Sequence, residues 1–271
     1  MTGILVVNAY LKSEKFDALH AHLVKTAAEC KIELKVKTNE EKLFDSERAD
    51  FVLFWDKDTA LARLLEKRGI PVFNSARAIE LCDDKGKTYT ELYGVVPQPE
   101  TLIAPLSFFD TDYSEFISKA CERLGLPLVF KERSGSFGEQ VYLCNTAEDI
   151  KSHVNGKPFL LQEYIENSAG EDIRLEVVGG RVVAAMKRKN PDDFRSNITN
   201  GGTAEPYEPS DIEKDTAIKA CAALGLAFGG VDILKNGAVC EVNSNAHIIN
   251  LMNITGVDVA PRIFEYILGK I

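Results

Sequence analysis

The 271-residue sequence contains one tryptophan, three methionines and four histidines, and no run approaching the roughly 20 consecutive apolar residues that a membrane-spanning helix requires. Basic runs are missing as well. With 41 acidic residues against 32 lysines and arginines the formal charge is -9, so the chain lacks the basic footprint that holds nucleic-acid phosphates, although a local basic pocket for a small anion remains open. The six cysteines (Cys30, Cys82, Cys121, Cys144, Cys221 and Cys240) are scattered, with no C-x-x-C or C-x-x-H spacing. That excludes the usual zinc and redox-pair frameworks and suggests buried thiols in a reducing compartment. The opening MTGILVVNAY has no basic n-region and no small-residue cleavage site. The expectation is a soluble, cytoplasmic protein with neither membrane nor nucleic acid as a partner. No G-x-G-x-x-G follows the first apolar run, and Gly86-Lys87-Thr88 only mimics the end of a P-loop, because Leu81 stands where its first glycine belongs. His20 and His22 lie two apart on a helical pattern and point to different faces, so no metal pair is expected there. Neither a Ser-His-Asp nor a Cys-His nucleophile pattern is visible.

What is present divides into three stretches. From Ile4 to Asn74, apolar runs (ILVV, IELKV, FVLFW, IPVFN) alternate with helical patterns (FDALHAHLVKTAAE, TALARLLEKRG), which predicts an N-terminal Rossmann-like α/β domain over residues 1–78. Residues 79–157 read as a helix through DDKGKTYTELYG, a proline-bounded connector, a helix capped by Ser114 and closed by Gly125, and the strand LPLVFK. Residues 158–271 read as strand-rich with one helix, DIEKDTAIKACAALG, started by a Ser210/Glu213 capping box.

Two hairpins in the third stretch carry the chemistry. In GGVDILKNGAVCEVN, Asn236-Gly237 predicts a two-residue type I′ turn. That turn pairs Ile233 with Cys240 and sets Asp232 opposite Glu241, with Asn243 on the same face. Like charges directly across a strand pair are destabilising, so a shared proton or a cation is needed. Two carboxylates and an amide oxygen match the hard ligands of Mg²⁺, or of Mn²⁺ in its place. In EDIRLEVVGGRVVAAMKR, a Gly179-Gly180 turn puts Arg174 opposite Ala185 and Asp172 opposite Lys187. Arg188 then falls on the other face, unless a twist or bulge re-aims it.

Lys85, Lys131, the loop SGSFGEQ, LQEYIEN, GEDIRLEVVGGRVVAAMKR, FRSN and GGVDILKNGAVCEVN together resemble, in order and spacing, the ATP-grasp ligases, and most of all their RimK-like branch. The resemblance runs from about Asp84 to the C-terminus. It implies an α/β and α+β architecture in which two α+β subdomains enclose ATP beside the N-terminal domain. It further implies that Lys85 and Lys131 contact phosphates and that Ser134, Gly135, Ser136 and Gly138 form a loop over them. Adenine would rest on the backbone of Glu163, Tyr164 and Ile165, with Asp172 on the ribose. Arg195 and Asn197 would meet phosphate or metal, Arg188 the transferring phosphoryl group, and Asp232, Glu241 and Asn243 the Mg²⁺. The loop's glycines suit this role, since without a Cβ the backbone N–H groups approach phosphates closely.

Members of that branch attach glutamate or a similar amino acid to a carboxylate by way of an acyl phosphate, so the implied partners are an amino acid and a carboxylate acceptor that is a peptide, a protein tail or a metabolite. A small-metabolite or dipeptide-forming ATP-grasp enzyme, or a nucleotide-binding protein without ligase activity, remain as alternatives, and homo-oligomerisation is left open. After Glu241-Val-Asn the sequence departs from the branch: SNAHIINLMNITG replaces the small residues, proline and glycine found there. His247 in that loop, and Arg174, are candidates for substrate contact, with a hydrogen-bonded structural role as the plainer reading of the histidine.

Overall fold

The computed structural model describes residues 1–44, 47–135, 138–198 and 201–271. Strands β1 (Thr2–Val7), β2 (Glu33–Thr38), β3 (Phe51–Trp55) and β4 (Val72–Phe73) form a parallel sheet in the order β2-β1-β3-β4. Helices α1 (Glu14–Glu29), α2 (Asn39–Phe44) and α3 (Thr59–Lys67) make the connections that parallel pairing requires. The unbroken apolar runs of β1 and β3 follow from burial on both faces. Leu5, Leu53 and Trp55 pack with Leu19 and Leu23 of α1, while Ile4, Val52 and Phe54 pack with Leu61 and Leu65 of α3. Each such side chain contributes roughly 1.5–3 kcal/mol by leaving water.

Beyond β4, the expected helix through residues 83–94 is α5 (Lys85–Leu92), and a further helix, α4 (Ala76–Asp83), precedes it. The break lies at Asp84, whose Oδ1 accepts from the backbone N–H groups of Gly86 and Lys87 and so starts α5 afresh. The guanidinium of Arg133 holds that carboxylate from the other side at 2.9 and 2.6 Å.

The second sheet is antiparallel, in the order β5-β8-β6-β7: β5 (Thr101–Ile103), β6 (Leu128–Glu132), β7 (Val141–Cys144) and β8 (Phe159–Glu163). Helices α6 (Ser114–Leu124) and α7 (Ala147–His153) cover one of its faces through a core that includes Ile117, Ile150, Phe130 and Phe159. Gly125 closes α6 at φ 77°, as expected, but Ser114 does not cap it. Ser114 is the first helical residue, and its N–H and hydroxyl both donate to Asp112 Oδ1.

The third sheet has the order β11-β10-β9-β12-β13, from β9 (Glu171–Val178), β10 (Arg181–Lys189), β11 (Thr203–Pro206), β12 (Phe228–Ile233) and β13 (Val239–Asn243). Helix α8 (Asp211–Leu224) starts with the Ser210/Glu213 capping box read from the sequence. Its Ala217, Ala220 and Leu224 share a core with Leu81, Leu92 and Val231, so α4 and α5 rest against this unit. Two further helices were not expected: α9 (Ile248–Thr255) and α10 (Ala260–Leu268). Ile263, Phe264 and Ile267 of α10 bury against the same core as α1 and β3. No helix among the described residues is long and apolar enough to cross a membrane.

Asn74 clamps the first unit to the third. Fully buried, it donates from Nδ2 to the carbonyls of Phe228 and Ser244 at 2.8 Å each, and its Oδ1 accepts from the N–H of Ala227 at 2.7 Å. Asn74→Ala leaves those buried backbone groups without this partner, and a loss of about 2–4 kcal/mol in urea unfolding is expected. A variant within about 0.5 kcal/mol of the parent would show that the clamp adds nothing.

Candidate active site

Both hairpins deviate from their expected registers, with opposite consequences. At β12–β13 the turn is not a two-residue type I′. Gly237 N–H donates to Leu234 O and Leu234 N–H to Ala238 O, giving a three-residue loop in which Gly237 alone has positive φ, 83°. Ile233 therefore faces Val239 and not Cys240. A bulge at Cys240 then restores the count, so Asp232 does lie opposite Glu241, and Gly230 opposite Asn243. At β9–β10 the Val178–Arg181 pairing is as expected, but a bulge at Val183 shifts the rest of the pairing by one residue. Arg188 thus opposes Asp172, correcting the expectation that it sits on the other face, and Arg174 opposes Met186 instead of Ala185.

The bulge builds a buried four-membered charge network. Arg188 donates from Nε and Nη2 to the two oxygens of Asp172 at 2.7 and 2.5 Å, and Nη2 lies 2.9 Å from Asp232 Oδ2. Arg174 grips Asp232 through Nε and Nη2 at 2.7 Å each. Ser196 Oγ donates to Asp172 Oδ2 at 2.6 Å. Burial opposes every charge here. For Asp232 the two guanidiniums outweigh it and hold the carboxyl below its usual range, and for Arg188 the carboxylates of Asp232 and Asp172 raise its pKa against the same penalty. Arg174 and Arg188 neutralise Asp232 in this structure.

Glu176, next on this face of β9, was missed by sequence reading. It is 2% exposed, and burial first, then Asp232, push its carboxyl up to about 8 against the pull of Arg174. A folded pKa above the unfolded value near 4.5 means that stability is full below the unfolded pKa and falls as pH rises towards 8, by up to about 1.4 kcal/mol per unit. Glu176→Gln should therefore flatten the fall in stability between pH 5 and 8, as measured by urea unfolding at each pH. An unchanged slope would mean that the group titrates normally.

A cleft lies between the second and third sheets. Val129, Lys131, Val141 and Gln162 line one wall, and Arg188, Asp232, Leu234, Cys240 and Glu241 the other. Glu163, Tyr164 and Ile165, just past β8, lie along it with Lys85, Asp172, Arg195 and Asn197. Gly135 and Gly138 of the glycine-rich loop reach it too, whereas Ser134 is exposed and lines neither this cleft nor the larger cavity beside it. Ser136 lies outside the described residues. The apolar Val129, Val141, Ile165, Leu234 and Phe194 offer flat faces for a planar ring. Lys85 Nζ donates to Gly135 O at 3.2 Å, and burial lowers its pKa while Glu241 supports its charge. The Lys131 ammonium makes no hydrogen bond or ion pair among the described residues. Arg195 holds Asp193 and donates to Gly138 O at 2.6 Å, tying the 190–198 loop to the glycine-rich loop. Gly170 seats the base of that loop: at φ 66° a Cβ would lie 2.1 Å from Asn190 O.

The residues expected to hold a metal fit one in chemistry. Glu241 pairs with no described residue, and the amide nitrogen of Asn243 is buried without a partner, so neither residue's oxygens are committed to an ion pair. Asp232 reaches the same place with arginines attached. Among the described residues there is no cluster of three or more His, Cys, Asp or Glu.

A second, larger cavity adjoins the cleft and shares Gly135, Arg188, Asn197 and Glu241 with it. Arg174, Asn243 and His247 line this cavity rather than the cleft. His247 Nε2 donates to Lys15 O at 3.2 Å, burial lowers the ring's pKa, and Nδ1 is buried without a partner. The opposite wall comes from the N-terminal unit, with Asn8, Lys15, Asp56 and Lys57, none of them anticipated. A signal for two of these existed: Asn8 and Asp56 directly follow β1 and β3, and parallel α/β sheets bind ligands at the carboxyl ends of their strands.

Residues 64–267 match the family model described as the RimK-like ATP-grasp domain. A probable alpha-L-glutamate ligase of Trichodesmium erythraeum is 35% identical over 226 residues, covering 78% of this chain and 73% of that protein. Beta-citrylglutamate synthase B of Danio rerio is 33% identical over 224 residues, covering 79% and 54% respectively. Among solved structures, D-cycloserine synthetase DcsG aligns with a TM-score of 0.80 over 100% of this chain and 99% of that one, at 18% identity, a likeness of fold.

Proposed function

The chain belongs to the RimK-like ATP-grasp family and is an ATP-grasp ligase, and from that premise we propose that it joins an amino acid, glutamate or one similar to it, to a carboxylate acceptor. One observation carries this reading: the cleft and the larger cavity meet at Gly135, Arg188, Asn197 and Glu241. A phosphoryl group leaving ATP on one side would there meet a carboxylate held on the other.

In this reading residues 79–157 and 158–271 supply the walls of the nucleotide cleft, and residues 1–78 the far wall of the second cavity. The acceptor carboxylate oxygen attacks the γ-phosphorus, ADP departs, and an acyl phosphate results. The free amine nitrogen then attacks the acyl carbon, the C–O bond to phosphate breaks as the C–N bond forms, and phosphate leaves with the electron pair and takes up the proton that the nitrogen gives up. Lys85 and Lys131 would bind the phosphates, and Arg188 would offset charge on the transferring oxygens from a position fixed by Asp172. Glu163, Tyr164 and Ile165 would seat the adenine. Asp232, Glu241 and Asn243 would hold Mg²⁺, which when bound neutralises phosphate charge. Arg195 would keep the two loops together over the nucleotide and exclude water.

The test is phosphate release from Mg-ATP across a panel of amino acids and acidic peptides, followed by product mass. The expected result is ADP and phosphate release that needs both an amine and a carboxylate, with a product heavier by one amino-acid residue. ATP binding without acceptor-dependent phosphate release would overturn the ligation reading.

A further inference from the structure

We propose that the second cavity is the amine-substrate site, and that Asp56 Oδ2, Asn245 Oδ1 and His247 Nδ1 are the three acceptors that receive the amine's N–H groups. The proposal deepens the ligase reading and rests on it. Among the described residues, the buried side-chain atoms without a hydrogen-bond partner are five, and four of them belong to residues lining this one cavity: these three and Asn243 Nδ2. Buried polar groups are almost always paired, because each unpaired one costs roughly 1–3 kcal/mol. Such a concentration around a single cavity marks a place where a ligand supplies the missing partners.

The identity of the orphans selects the ligand. Three are acceptors without a donor, and an ammonium group brings three N–H donors and a positive charge. Asp56 is the charged member. It is 7% exposed, and its Oδ1 already accepts from Asn8 Nδ2 at 3.0 Å and from the N–H of Lys57 at 2.8 Å, which fixes the carboxylate and leaves Oδ2 buried without a partner. Asn245 is oriented in the same way. Its Nδ2 donates to Asp56 O at 3.0 Å, across 189 positions of sequence, so Oδ1 is the unused end. His247 spends Nε2–H on Lys15 O and presents Nδ1. The fourth orphan, Asn243 Nδ2, is a donor and suits a carboxylate oxygen. A free α-amino acid answers both needs. Asn245 and His247 lie in SNAHI, the stretch where this chain departs from the branch it resembles, and Asp56 belongs to the N-terminal unit.

The experiment screens the twenty free amino acids by thermal shift on the protein loaded with Mg-AMPPNP. The tightest binder and its deamino analogue, for example L-glutamate and glutarate, are then compared by titration calorimetry. The parent protein should bind the amino acid at least about tenfold more tightly than the analogue. Asp56→Asn should weaken the amino acid about tenfold or more, abolish that preference, and leave AMPPNP affinity unchanged. Asn245→Ala gives a second variant with the same expectation should Asp56→Asn fold poorly. Equal affinity for the two ligands in the parent, an unchanged preference in both variants, or no binding by any amino acid would overturn the amine site. Failure of AMPPNP to bind would instead overturn the ligase reading beneath it.

Discussion

Replacing Glu241 with glutamine lowers phosphate release from Mg-ATP by about 10³-fold or more while the melting temperature and circular dichroism stay those of the parent. The two halves of this expectation have separate causes. Glu241 lies at the junction of the cleft and the cavity, opposite Asp232, where negative phosphate oxygens and a divalent ion would meet. Yet it forms no ion pair among the described residues, so removing its charge orphans nothing in the protein. Its neighbour Lys85 loses the support of a carboxylate, which weakens the phosphate side further. A Glu241→Gln protein that turns over at the parent's rate would remove Glu241 from the ion site, and one that unfolds would make it a structural residue.

Arg188 should behave in the opposite manner, with stability and activity falling together. Arg188→Met strips both oxygens of Asp172 of their guanidinium and takes one contact from Asp232, inside a region where Arg188 is 4% exposed. Breaking a buried pair by removing one partner costs about 3–5 kcal/mol, because the remaining charge stays buried. Arg188→Lys should recover little, since an ammonium cannot reproduce the two-pronged contact with Asp172 while also reaching Asp232. The double variant Arg188→Met, Asp172→Leu should regain stability without regaining activity. Urea unfolding of the four proteins decides the matter: if the double variant is no more stable than Arg188→Met, the network is not what the arginine supports.

Much of this site was legible locally, and the illegible parts have identifiable physical causes. Asp232 and Glu241 were set opposite each other from an assumed two-residue turn, and they are opposite because a three-residue loop and a bulge at Cys240 offset one another. A bulge is one extra residue among apolar ones, and neither Cys240 nor Val183 announces it in the sequence. At Val183 no second irregularity compensates, so Arg188 moved to the face of Asp172 and Arg174. The parallel sheet of the first unit was readable because burial on both faces writes continuous apolar runs such as FVLFW. Helices α9 and α10 were not anticipated; α9 is only eight residues long and has no side-chain N-cap to mark its start. The amine-facing wall was the least visible, because Asp56 and Asn245 meet only after the whole chain has folded, through a hydrogen bond that no local pattern encodes.

The proposed reaction depends on a phosphoryl group crossing between the two cavities at Gly135, Arg188, Asn197 and Glu241. Turnover with a carboxylate acceptor labelled with ¹⁸O in both oxygens, read by mass spectrometry of the released phosphate, tests that crossing most directly. Transfer through an acyl phosphate predicts one labelled oxygen in each phosphate and ADP as the nucleotide product. Unlabelled phosphate, or AMP in place of ADP, would contradict it.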